Sequence, residues 1–189
     1  LSIPTFSKSV PLSKQLLEIT KKEAKQCITI APFAAYTSKM YPLELMNKVI
    51  SELSKEHHIL LFGGGNEEVA QLEIIASKHK NVINVAGKLT LDEELDVISN
   101  LDIMLSMDSG NGHIAAMLGI KVVTIWGVTH PFAGFLPFNH SLDSCLMADR
   151  AKFPKIPTSV YGKKYPKGYE NAIASILPNE IITKVKSCL

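Results

Sequence analysis

Apolar residues come in short unbroken blocks along most of this chain, and after each block they recur at every third or fourth position. CITIA at 27–31 is a β-branched run ended by Pro32, the composition of a strand buried on both faces of a parallel sheet. Pro42 suits a first helical turn, and Leu43, Met46, Val49, Ile50 and Leu53 then mark one face of a helix running to about Lys55. The plan repeats. HILLF at 58–62 predicts a strand, GGGN turns the chain, and Val69, Leu72, Ile75 and Ala76 mark a helix to about His79. VINVA at 82–86 predicts a third strand, and Leu91, Leu95 and Ile98 a helix that Thr90 or Asp92 caps. DIMLSM at 102–107 predicts a strand, followed by a helix from about Asn111 to Leu118 stopped by Gly119, and then the strand KVVTIW at 121–126. Strands alternating with helices of this length imply a doubly wound α/β domain with a mostly parallel, Rossmann-like sheet. From 127 to 167 the pattern thins to five prolines and several aromatics, which reads as a long irregular segment near a site. A last helix begins around Pro178, with Ile181, Ile182 and Val185 as its apolar stripe. Residues 1–26, with a weak helical pattern from Ser13 to Lys25, read as a linker or peripheral helix outside a domain spanning 27–189.

Composition narrows the class without changing the fold. With 189 residues, 46% apolar and 20% charged, disorder and collagen-like repetition are excluded. No apolar block approaches the roughly 18 residues of a membrane span, and LSIPTFSKSV lacks the features of a signal peptide, so a cytoplasmic location is expected. Cys27, Cys145 and Cys188 lie far apart without CxxC spacing, and His57-His58 has no HExxH setting, so neither a disulfide framework nor a metal site is expected. Arg150 is the single arginine, no cationic run exceeds a pair, and no nucleic-acid partner is implied. The first residue is leucine, so the chain is expected to be cut from something longer.

In a doubly wound sheet, ligands bind beyond the carboxyl ends of the strands where the strand order reverses, which singles out the loops 32–42, 63–67, 87–90, 107–113 and 127–135. Asp108-Ser109-Gly110-Asn111-Gly112-His113 lies between a strand and a helix, where backbone amides and the helix dipole hold a phosphate and Asp108 suits hydroxyls. The same residues also read as a plain helix cap on which His113 packs. The run is not GxSxG, GxGxxG or a GK[ST] loop, so a nucleophile elbow, a dinucleotide and a triphosphate are each poorly matched. After HILLF, Glu67 is placed to accept from ribose hydroxyls, or else Glu67 and Glu68 merely complement the helix dipole. In Tyr36-Thr37-Ser38-Lys39 a lysine can neutralise a diphosphate, or be an ordinary solvated residue. Gly127-Val128-Thr129-His130-Pro131 reads first as a structural turn with a solvent-exposed histidine.

Taken in order, Lys39 followed closely by Tyr41-Pro42, the glycine turn with Glu67, Ala86-Gly87-Lys88 with Leu91, Asp108-Ser109-Gly110-x-x-His113 with Ala115-Ala116, and Trp126-Gly127-x-Thr129-x-Pro131 resemble the C-terminal half of the heptosyltransferases of glycosyltransferase family 9. The likeness runs from about residue 28 to 135. It implies a GT-B enzyme of two Rossmann-like domains that transfers heptose from ADP-heptose, with inversion, to the lipopolysaccharide inner core, needing no metal or other cofactor. By the same resemblance Lys39 stabilises the diphosphate leaving group and meets the sugar. Glu67 meets the ribose, Asp108 the heptose hydroxyls, and the amides of Ser109 and Gly110 the phosphates. His113 supports that turn, and Thr37, Ser38 and Thr129 complete the donor set. Where the family often has hydroxyl residues before the lysine, this chain has Ala34-Ala35, and Gly112 stands where a larger residue is usual. The acceptor side and its general base belong to the family's N-terminal half, so donor binding without turnover is expected here. The implied partners are a nucleotide sugar and, through that other half, a lipopolysaccharide acceptor, with peripheral contact at the inner face of the bacterial inner membrane. The alternatives are a GT-B domain using another nucleotide sugar and a non-catalytic nucleotide-binding module.

Overall fold

The computed structural model describes residues 11–20, 26–133 and 135–189. Most of residues 1–26, read above as a linker or peripheral helix, lies outside them; within that stretch a short helix, α1 (Lys14–Thr20), puts Leu16 against the core. Five strands and the helices between them follow in alternation: β1 (Cys27–Ala31), α2 (Leu43–Leu53), β2 (His58–Leu61), α3 (Asn66–Ala76), β3 (Val82–Asn84), α4 (Leu91–Ser99), β4 (Ile103–Met107), α5 (Gly110–Met117) and β5 (Lys121–Trp126). A sixth strand, β6 (Cys145–Met147), and a closing helix, α6 (Pro178–Cys188), complete the domain. No helix among the described residues is long and apolar enough to cross a membrane.

All strand pairs are parallel, in the order β3-β2-β1-β4-β5-β6, the doubly wound arrangement in which the chain reverses direction between β1 and β4. Alternate strand residues serve the two faces. Ile28, Ile30, Ile59, Leu61, Ile103, Leu105, Val123 and Ile125 pack with Met46, Val49, Ile50 and Leu53 of α2, Leu72 and Ile75 of α3, and Ile181 and Val185 of α6. Cys27, Leu60, Met104 and Val122 pack on the other face with α1, α4 and α5. Each strand is therefore apolar at nearly every position, which is why the strands read as unbroken runs.

Local chemistry sets the ends of these elements. Thr90 forms a full capping box with Glu93, so Thr90 rather than Asp92 is the cap of α4. Gly119, at φ +77°, stops α5. Pro42 stands at the N-cap of α2, one position before the helix proper, and α3 ends at Ala76, three residues earlier than its apolar pattern suggests. Inside the stretch expected to be irregular, β6 adds to the edge of the sheet through Thr124↔Cys145 to Trp126↔Met147.

Candidate functional site

The loops leaving β1 and β4 meet at the strand-order reversal, and each contributes a charged group there. Thr37–Lys39 forms a single 3-10 turn whose lysine points back across the sheet end. Lys39 Nζ lies 2.7 Å from Asp108 Oδ2 and 3.4 Å from the Asp108 carbonyl oxygen. The Thr129 hydroxyl donates to the same Oδ2 at 2.8 Å. Lys39, Asp108 and Thr129 are 8%, 5% and 1% exposed, so this is a buried ion pair braced by a hydroxyl rather than a surface salt bridge. The ring of Phe135 lies 5.7 Å from the ammonium group, at the outer limit of a cation–π contact.

What lets a loop after β5 reach this point is Gly127. Any β carbon there would run into the main-chain oxygen of Ser38, so only glycine permits the close approach that carries Thr129 up to Asp108. Next to it, His130 is buried, 4% exposed, with Nδ1 accepting the Phe132 amide at 3.2 Å. The solvent-exposed histidine expected from the sequence is thus corrected: the ring is buried, and its centroid lies 4.9 Å from that of the Phe132 ring, tilted against it. Burial, and secondarily the Arg150 charge, holds its pKa below the ordinary imidazole value. Tyr41, two residues after Lys39, anchors the loop after β1. Its phenol donates to the Ile176 carbonyl at 2.7 Å, and burial, with the Glu180 charge, pushes its pKa up to about 12.

The start of α5 is built differently. Ser109 is its N-cap residue but its side chain caps nothing; its hydroxyl is 3.1 Å from that of Ser106. A β carbon on Gly110 would meet nothing within 4 Å, so the first turn faces open space. Gly112 is needed for another reason, because a β carbon there would lie 3.2 Å from Ser106 Oγ and 3.3 Å from Ser106 Cβ, and the bare backbone lets α5 sit directly on β4. His113, partly buried, forms no hydrogen bond with the described residues.

Of the two acidic residues after β2, Glu68 closes the turn by accepting the Gly64 amide at 2.8 Å. Glu67 points outward, exposed, and shares with Thr37, Phe33, Met40 and Gln71 the lining of a cleft of about 510 Å³. The structure thus brings Lys39, Asp108 and Thr129 into one cluster and Glu67 and Thr37 into one cleft, while the Ser38 hydroxyl donates to the Gly162 carbonyl at 2.6 Å. Gly162 and Phe135, which also frame Lys39, and Tyr161, whose ring lies against Phe135, have no signal in the sequence beyond an aromatic-rich irregular stretch.

These features coincide with likenesses to known proteins. A lipooligosaccharide heptosyltransferase 2 of Campylobacter jejuni is 26% identical over 170 residues, 87% of this chain and 52% of that protein. The E. coli ADP-heptose LPS heptosyltransferase II has the same fold, with a TM-score of 0.68 at 17% identity over 100% of this chain and 55% of that one. The chain spans about half the length of the relatives it matches. A third likeness corrects an expectation. A dodecameric iron-containing heptosyltransferase, TibC, of enterotoxigenic E. coli shares the fold, with a TM-score of 0.58 at 14% identity over 87% of this chain and 45% of that one. Freedom from metal therefore does not follow from the family resemblance, although no three His, Cys, Asp or Glu among the described residues are grouped to hold an ion. The model of glycosyltransferase family 9 (heptosyltransferase) matches residues 1–165, and the chain belongs to that family.

Proposed function

We propose that this chain is the donor-binding half of an inverting GT-B heptosyltransferase that takes ADP-heptose and transfers heptose to the lipopolysaccharide inner core. The observation that carries the reading is the Lys39–Asp108–Thr129 cluster at the strand-order reversal, beside the uncapped first turn of α5. Breaking the bond between sugar and phosphate leaves a diphosphate whose growing negative charge requires fixed donors. The Lys39 ammonium and the amides of Ser109 and Gly110 supply them, the second group aided by the helix dipole. On binding, the diphosphate replaces Asp108 as the partner of Lys39. The released Asp108 carboxylate, kept in orientation by Thr129, then accepts from heptose hydroxyls. Glu67 and Thr37, in the adjoining cleft, hold the ribose and the near phosphate, and His113 supports the α5 turn. The acceptor and the base that activates its hydroxyl belong to the other half of the enzyme, so this half binds and does not turn over. The reading puts the protein in the cytoplasm, working against the inner face of the inner membrane where its acceptor lies.

Isothermal titration with ADP, UDP and GDP sugars tests this reading: adenine nucleotides are expected to bind most tightly, and no preference for them overturns ADP-heptose as donor. Lys39→Ala and Asp108→Ala are each expected to weaken the intact nucleotide sugar, and Glu67→Ala to weaken free ADP as well. A lost contact to a charged group of this kind is worth about 1.5–3 kcal/mol, or tenfold and more in affinity. Parental affinity in all three variants removes the site.

A further inference from the structure

One glycine far along the chain touches three of these residues at once. Residues 158–164 form a small loop closed on itself: the Thr158 hydroxyl donates to the Lys164 carbonyl at 2.7 Å, and the Lys164 amide donates to the Ser159 hydroxyl oxygen at 3.2 Å. The loop is tied to the exit of β5 by the Thr158 amide, which donates to the Val128 carbonyl at 2.9 Å. At its inner turn Gly162 is buried and held at φ +75°, a conformation open to glycine and strained for other residues. Its carbonyl takes the Ser38 hydroxyl at 2.6 Å. A β carbon at Gly162 would lie 3.0 Å from Thr129 Cγ2, 3.2 Å from Lys39 Cγ and 3.3 Å from Lys39 Cε. Outside the turn, the Tyr161 and Phe135 rings lie 5.7 Å apart, and Phe135 is the ring beside the lysine ammonium.

We infer that Gly162 is a positioning residue for Lys39: the face of its backbone is the wall against which the lysine stem lies, and the Ser38 bond fixes that wall to the turn carrying the lysine. This rests on Lys39 being a donor-binding residue. A lysine stem has four rotatable bonds and loses much rotamer freedom when ordered. The gap between the Gly162 backbone and the stem is too narrow to admit a β carbon at either Cγ or Cε, which restricts the stem along its length while leaving the ammonium free to exchange its partner. The lysine thus reaches Asp108 or a diphosphate from one direction, and the entropy of ordering it is already lost before the donor arrives. Ser38, on this account, acts on the loop, and its hydroxyl does not meet a phosphate.

The test uses the chain with Gly162→Ala and two readouts. The first needs no ligand: acylation of lysine amines by an amine-specific ester, followed by mass spectrometry. Lys39 in the parent chain is expected to label slowly, and Gly162→Ala to speed it severalfold, while Lys55, whose side chain is 64% exposed, labels equally in both and serves as reference. The second is titration with ADP-heptose. Gly162→Ala is expected to weaken binding about tenfold when Lys39 is present and to have no further effect on Lys39→Ala, the coupling expected of a residue that acts through another. Thr129→Ser, which removes the methyl group facing the new β carbon and keeps the hydroxyl, is expected to restore part of both. If Gly162→Ala does not fold, Ser38→Ala cuts the same tether without adding an atom, and the same pair of changes is expected. Unchanged Lys39 labelling, or an equal loss of affinity with and without Lys39, overturns the inference. Failure of the parent chain to bind any ADP sugar overturns the donor reading instead, and the labelling rates then decide by themselves whether Gly162 holds Lys39.

Discussion

Two parts of the candidate site lie side by side and are built on opposite plans. Where the loops after β1 and β5 come together, everything is filled: Lys39, Asp108 and Thr129 satisfy one another, Gly127 and Gly162 leave no room for a methyl group, and little is exposed. Where α3 and α5 begin, the site is open: Gly64, Gly65 and Gly110 face empty space, Glu67 is exposed, and no side chain caps α5. The difference separates two uses of glycine and two uses of charge. In the filled part glycine permits contact between protein atoms and charge is already neutralised. In the open part glycine leaves the backbone accessible, and at the start of α5 no side-chain cap answers the partial charge of the amides.

Substitutions that ignore this division are the sharpest way to break it. The largest effect is expected from Gly127→Ala, which drives a β carbon into the Ser38 carbonyl. A loss of about 4 kcal/mol or more in a urea melt is expected, and a loss below about 1 kcal/mol shows that the two loops yield easily. Next comes Lys39→Met, which leaves the Asp108 carboxylate buried without its counterion and is expected to cost about 3–5 kcal/mol. Adding Asp108→Asn should recover most of that loss, and no recovery would show that the pair is not the source.

A smaller effect distinguishes the filled part by its pH dependence. Because the folded protein depresses the His130 pKa, the unfolded chain binds the extra proton below the ordinary value of 6.5. The stabilisation from keeping this ring neutral is complete above about pH 6.5 and is lost as pH falls toward the folded-state pKa, at no more than about 1.4 kcal/mol per pH unit. His130→Gln should flatten that part of the stability profile, and an identical profile refutes the role of this histidine. The smallest stability effect belongs to the open part. Gly110→Ala meets no atoms and should change stability by no more than about 0.5 kcal/mol, yet weaken ADP-heptose by crowding the amides. Unchanged affinity in that variant places the phosphates elsewhere.

Much of the open part was legible in the sequence and little of the filled part. Strand-end glycines and Glu67 are local signals, since each follows a buried apolar run whose end fixes where the loop begins. The strands β1 to β5 were legible for the same reason. β6 was not, because three residues at a sheet edge with only one of them buried show no periodicity. Lys39 and Asp108 were each legible as ligand-binding groups, but not as partners of one another, because their pairing depends on β1 lying beside β4 across 69 positions of chain. Gly162 was out of reach altogether. Tyr161-Gly162-Lys163-Lys164 looks like any surface turn, and its importance lies in a contact with Ser38 across 124 positions.

The all-parallel sheet has a practical consequence for anyone altering this protein. Every strand delivers its chain to the same rim, and strands of four or five residues at about 3.3 Å per residue separate that rim from the opposite one by roughly 15 Å. The far rim, such as the exposed Lys55–Glu56 turn between α2 and β2, is where a tag or a short inserted segment leaves the chemistry untouched. A single residue inserted at 63–65, at the near rim, shifts Glu67 by one position around α3 and carries it out of the cleft.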